Sequence, residues 1–253
     1  MRKPIIVGNW KLNKTISQAI DLVAELQTLV ADEDEVEIVV APVFTALPFV
    51  ADALKDTRIG LSAQDLYWEE SGAFTGEVSA GLLRDAGCSH VIIGHSERRQ
   101  YFGENNEMVN KKVKSALDAH LVPIICVGER LDERRAGKTA SVIEDHVVCA
   151  IEGLSVDQLL ALVIAYEPVW AIGTGQVATP HQAQEVHAHI RQLLARKYST
   201  EVASQIRIQY GGSVKPENTA ALLSQVDVDG ALVGGASLEA ESFASIIAAV
   251  RRN

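Results

Sequence analysis

Eight short runs of apolar, mostly β-branched residues recur along this chain, and longer amphipathic stretches separate them. The runs are Ile5–Gly8, Glu37–Ala41, Arg58–Ala63, Val91–Gly94, Val122–Val127, Leu162–Tyr166, Arg207–Tyr210 and Gly230–Val233. They are nearly continuous in hydrophobicity rather than alternating, as strands covered on both faces are. The stretches between them carry helical periodicity. Ile16, Ile20, Val23, Leu26 and Val30 share one face of the first, and Phe243, Ile246, Ile247 and Val250 share one face of the last. Cap signals agree, with Thr179-Pro180 opening one helix and Ser79 another.

Strands that alternate with helices pair in parallel, because a crossover helix returns the chain to the same end of the sheet. Eight units in 253 residues, about 32 residues each, match an α/β closed (β/α)8 barrel. An open doubly wound sheet is the competing architecture. No Pro-, Gly- or Ser-rich linker interrupts the pattern, so residues 1–253 read as one barrel domain.

The formal net charge of −10 argues against nucleic acid as a partner, since binding it requires Lys and Arg to neutralise phosphates. It also means that any anion site must be local: a lysine, backbone N–H groups or a helix N-terminus. No stretch approaches the roughly 20 apolar residues of a membrane span. The N-terminal Met1-Arg2-Lys3-Pro4 lacks the features of a signal peptide. Three dispersed cysteines, Cys88, Cys126 and Cys149, form neither a disulfide framework nor a zinc pattern. A cytoplasmic setting is the expectation, with Cys126 in the core.

In a barrel the chemistry sits at the C-terminal strand ends. Those ends are Gly8-Asn9-Trp10-Lys11, Gly94-His95-Ser96-Glu97-Arg98-Arg99, Glu167, Tyr210-Gly211-Gly212-Ser213 and Val233-Gly234-Gly235-Ala236-Ser237. Diglycine turns bare their backbone N–H groups, and the loops after strands seven and eight often hold phosphate. Either diglycine alone reads better as a tight turn without ligand, whereas two on this pair of strands favour phosphate.

Gly173-Thr174-Gly175-Gln176-Val177-Ala178 fits a dinucleotide fingerprint, but six residues separate it from the strand and Pro180 follows. The expectation is therefore no nicotinamide or flavin, and no cofactor. His181, His187 and His189 share one helix without a metal-binding pattern, so no metal is expected.

As a set, Asn9-Trp10-Lys11, Gly94 to Arg99, Ala165-Tyr166-Glu167-Pro168-Val169-Trp170-Ala171-Ile172-Gly173-Thr174-Gly175, Gln209 to Ser213 and Leu232 to Ser237 resemble the triosephosphate isomerase family, in order and across the chain. The resemblance implies interconversion of dihydroxyacetone phosphate and glyceraldehyde 3-phosphate through an enediol(ate). It makes Glu167 the base, His95 a neutral electrophile, and Lys11 with Asn9 the stabilisers of negative charge. It assigns phosphate contacts to Gly173, Ser213, Gly234 and Gly235. Ser96, Glu97, Ile172 and Leu232 support the site, and Pro168 to Ala178 is the lid. Lys11, His95 and Glu167 are expected to open onto one cavity.

The resemblance also implies a homodimer through the Gln64–Val78 loop, with Thr75 reaching the neighbouring site. Three departures stand out. Gln176-Val177-Ala178 replaces a pattern that usually begins with lysine, Leu12 replaces a common methionine, and Asp65 a common asparagine.

Overall fold

The computed structural model describes residues 2–250. Eight strands close into a barrel in sequence order, each parallel to its neighbours. They are β1 Ile5–Asn9, β2 Glu37–Ala41, β3 Gly60–Ala63, β4 His90–Ile93, β5 Val122–Val127, β6 Val163–Tyr166, β7 Arg207–Tyr210 and β8 Gly230–Val233. The first and last strands pair directly, Ile5 against Gly230 through Gly8 against Val233, and this pairing is what closes the sheet. An open doubly wound sheet is thereby excluded.

Strand residues alternate between two buried environments, which explains their continuous hydrophobicity. Ile5, Val7, Val39, Ile92, Ile124, Ala165 and Leu232 fill the barrel interior. Ile6, Ile38, Val40, Val91, Ile125, Ile164 and Ile208 face the helices outside. Each CH₂ removed from water stabilises the fold by about 0.8 kcal/mol, so this double burial dominates the stability.

Helix starts follow from local chemistry. Thr179 caps Pro180–Lys197 by accepting from Gln182 N, while Gln182 reaches back to the Thr179 N–H. Ser79 caps Ala80–Asp85 by accepting from Leu82 N, without a reciprocal bond. In the first helix, Ile16–Leu29, the buried residues are Ala19, Leu22, Val23 and Leu26. Ile20 is exposed, contrary to the sequence expectation. The inward stripe is centred on Val23 and Leu26, and Ile20 lies past its edge. The last helix, Ala240–Val250, buries Phe243, Ile246 and Ile247 as expected.

Polar residues gather at the two ends of the barrel. At the strand starts, Glu37 of β2 accepts from Arg207 of β7 and lies 3.0 Å from Nε2 of His90 on β4. At the strand ends lies the candidate site.

Candidate active site

Lys11 follows β1 with φ +52°, a left-handed conformation that costs a side-chain-bearing residue energy. Two contacts hold it there. Its N–H donates to Asn9 Oδ1 at 3.0 Å, and its carbonyl accepts from Gln64 Nε2 at 2.9 Å. The ammonium Nζ lies 2.6 Å from Oε1 of Glu97.

His95 is the N-cap of the helix Ser96–Tyr101. Its Nδ1 accepts from the Glu97 N–H at 3.3 Å. Nε2 is therefore the nitrogen left to carry the proton in the neutral ring. Nε2 lies 3.0 Å from Oε1 of Glu167.

Glu167 is fully buried just past the end of β6. Its Oε2 accepts from the Ser96 N–H at 3.0 Å, and its Oε1 accepts from Ser96 Oγ at 3.2 Å. Burial pushes its carboxyl upward, yet the His95 charge and these hydrogen bonds outweigh burial and hold it below the usual range. Burial likewise pulls His95 down, and the Glu167 carboxylate outweighs it and raises the imidazole. Each group's charge favours the charged form of the other. The sequence expectation was a neutral ring, and with Glu167 beside it the ring is biased toward the cation.

Backbone fit fixes where Glu167 starts. Its N–H donates to Val127 O at 2.7 Å. A Cβ at Gly128 would sit 1.7 Å from the Glu167 carbonyl oxygen, so only glycine allows β5 and β6 to end this close together.

Lys11, His95 and Asn9 open onto a cavity of about 730 Å³ that Ile172, Gly173, Ser213, Leu232, Gly234 and Gly235 also line. Glu167 does not. It lines a second cavity of about 360 Å³, with Ser96, Arg99, Cys126 and His146. The expected convergence on one cavity is thus incomplete. The Ser96 hydrogen bonds and the His95 contact hold the carboxylate where it is.

The other end of the large cavity suits an anion. Gly211-Gly212-Ser213 and Gly234-Gly235 line it, and a short 3-10 turn, Gly235–Leu238, begins there. A Cβ at Gly235 would meet nothing within 4 Å, so its backbone is open to the cavity.

The segment after Pro168 hangs over this cavity. Trp170 is buried and Ile172 half-buried, while Gly173 and Gly175 take left-handed φ of +69° and +79°. Its root is held by a residue the sequence reading missed. Buried Glu129 accepts through Oε1 from Trp170 Nε1 at 2.9 Å, Tyr166 Oη at 3.1 Å and Arg134 Nη1 at 2.9 Å. Its position two residues beyond β5 was the available signal: a carboxylate at a strand end.

The Triosephosphate isomerase family model matches residues 4–250. The chain belongs to the triosephosphate isomerase family. Among its relatives, the triosephosphate isomerase of Citrifermentans bemidjiense is 60% identical over 98% of both chains. Those of Geotalea uraniireducens and Geobacter metallireducens are 59% and 58% identical, again over 98% of both.

Other triosephosphate isomerase features named from sequence have defined places. In the 64–78 loop, the Tyr67 ring packs at a tilt against Trp68 and Phe74, with centroids 4.2 and 4.7 Å away. Thr75 at its tip is exposed, and Leu12 is 94% exposed. Asp65, at the loop root, pairs with Lys112 at 2.6 Å and Arg98 at 2.8 Å. His187 is buried against Asp227 O at 3.1 Å, whereas His181 is on the surface 3.7 Å from Glu185. No group of potential metal ligands occurs among the described residues, and none of their helices is long and apolar enough to cross a membrane.

Proposed function

We propose that the protein interconverts dihydroxyacetone phosphate and D-glyceraldehyde 3-phosphate, with Glu167 as the base. The observation that carries this reading is the 3.0 Å contact between His95 Nε2 and Glu167, beside a cavity that holds Lys11 and two diglycine turns. Such a cavity matches a small phosphate ester with a carbonyl at the opposite end.

Phosphate lies against Gly173, Ser213, Gly234 and Gly235. Backbone N–H groups there supply positive potential that the −10 chain lacks overall. Glu167 leaves Ser96 and turns past His95 into the large cavity. There it takes a proton from one substrate carbon and returns it to the neighbouring carbon. His95 Nε2–H donates to the carbonyl oxygen as negative charge builds on it, and Lys11 and Asn9 stabilise the same charge.

The movement of Glu167 also retunes His95. Once the carboxylate departs, burial and the Lys11 charge lower the imidazole against the smaller opposing pull of Glu97, toward the neutral form that can donate and exchange protons. Glu97 keeps Lys11 in place during this exchange. Ile172 and Leu232 bring apolar surface over the site, and excluding water strengthens each hydrogen bond to the intermediate. No cofactor is needed for these proton transfers.

We further propose a homodimer joined through the Gln64–Val78 loop, with Thr75 entering the neighbouring subunit. Exposed Phe74 and Leu12 near that loop support it. We place the protein in the cytoplasm, which suits its three free thiols.

A coupled assay with glyceraldehyde 3-phosphate and purified protein tests the activity. Steady turnover is the expected result, and none would overturn the reading.

A further inference from the structure

Gly94 joins the end of β4 to His95. It takes φ +73°, and side chains hold both of its backbone polar groups. Its N–H donates to Glu104 Oε1 at 3.1 Å, and its carbonyl accepts from Arg99 Nε at 2.9 Å. That carbonyl belongs to the peptide that enters His95. The carbonyl of His95 itself accepts from the Arg99 backbone N–H at 3.1 Å. Arg99 therefore holds the peptide groups on both sides of His95.

A helical side chain leans toward the N-terminus of its helix. Arg99, one turn into Ser96–Tyr101, so reaches back over the strand end. Its guanidinium forks to three segments: Gly94 O after β4, Asn106 Oδ1 at the start of the helix Asn106–Asp118 at 2.7 Å, and Cys126 O on β5 at 3.5 Å. Asn106 is fixed in turn by Asp145 at 2.7 Å. The fit is close, since a Cβ at Gly94 would come within 3.1 Å of Arg99 Nη2. A lysine presents its donors from one point and lacks the planar fork.

Strand β5 also sets Glu167, whose N–H donates to Val127 O. One guanidinium thus ties the peptide that carries His95 to the strand against which Glu167 starts. Arg99 lines the second cavity, of about 360 Å³, and not the large one with the diglycine turns.

We propose that Arg99 is a positioning residue for His95: it fixes the peptide plane from which the imidazole leaves, and so sets where Nε2 stands relative to Glu167 and the substrate carbonyl. The inference rests on the reading of His95 as the electrophile of the proposed reaction. Misplacing such a group by about 1 Å costs up to about 10²-fold in rate, so the effect belongs to kcat. Phosphate is held by other loops, so KM is spared.

Arg99→Lys keeps the charge and loses the fork. With glyceraldehyde 3-phosphate, kcat should fall at least about 10-fold while KM stays within about twofold of wild type. Inhibition by inorganic phosphate should be unchanged. An arginine that only braced the fold would lower Tm and leave kcat per folded molecule unmoved. Arg99→Ala is the second variant. Guanidinium ion, admitted by the second cavity, should restore part of its kcat with saturation, and sodium at equal ionic strength should not. Arg99→Lys turning over at the wild-type rate would overturn the proposal. So would a loss confined to KM, or an Arg99→Ala loss that guanidinium does not reduce. Wild type without turnover would overturn the proposed reaction and this inference together, whereas active wild type beside an equally active Arg99→Lys overturns this inference alone.

Discussion

Oε1 of Glu167 lies 3.0 Å from Nε2 of His95, although the two side chains open onto different cavities. The pair ties the residue read as the base to a wall of the space where substrate fits. One consequence is electrostatic. Burial lowers His95, and the Glu167 carboxylate more than offsets this. Removing the charge in Glu167→Gln should let burial prevail and lower the His95 pKa from its wild-type value. Imidazole nitrogen NMR across a pH titration reads this directly. An unchanged or higher value in the variant would contradict the pairing.

Glu129 should control the root of the segment over the cavity. It is fully buried and accepts three hydrogen bonds through one oxygen. Glu129→Ala leaves Trp170 Nε1 and Tyr166 Oη without an acceptor and Arg134 without its partner. A loss of about 2 kcal/mol follows, discounted because Arg134 is partly exposed. Denaturant unfolding measures the loss. Faster proteolysis between residues 168 and 178 in the variant would trace it to this segment, and unchanged cleavage would show that Glu129 does not anchor it.

Gly128→Ala should damage both fold and site. The added methyl carbon would start 1.7 Å from the Glu167 carbonyl oxygen, a backbone atom that cannot rotate away. Relief requires β5 and β6 to separate at their ends, at about 3 kcal/mol. A lowered Tm together with lowered kcat is expected. Full activity and stability would mean that the two strand ends have more freedom than their geometry indicates.

The opposite end of the barrel sets acid stability. Burial raises the Glu37 carboxyl, but hydrogen bonds from His90 and Arg207 and the Arg207 charge bring it down to about 2, from 4.5. A carboxyl lowered in the folded state stabilises the fold above its unfolded pKa, and that contribution is lost as pH falls from 4.5 through 2. Tm followed across this window should therefore fall more steeply in wild type than in Glu37→Gln. Parallel curves would remove Glu37 from the account.

Much of this architecture could be read from residue pattern. β2, β5, β7 and β8 begin and end where their apolar runs do. β4 begins one residue early, at His90, because a histidine there is satisfied by Glu37 and Ser89 from within the barrel end. The Glu37 partner lies 53 residues away and leaves no local trace. Ile20 looked inward on periodicity alone, whereas small Ala19 is what fits against the neighbouring elements.

Within the site, the positions of Asn9, Lys11, His95 and Glu167 at strand ends were legible, as were the diglycine turns. The side-chain direction of Glu167 was not. It depends on the Ser96 hydrogen bonds, 71 residues away in sequence. Glu129 escaped for a similar reason, since its partners Tyr166 and Trp170 lie 37 and 41 residues further along the chain.

The central claim is that the Glu167 carboxylate moves the substrate proton. Glu167→Asp shortens the arm by one methylene while keeping the charge, so kcat for glyceraldehyde 3-phosphate compared with wild type is the most direct measurement. The account predicts a fall of about 10²-fold with KM little changed, because the base no longer reaches carbon at the right distance. An Asp variant that turns over at the wild-type rate would contradict it.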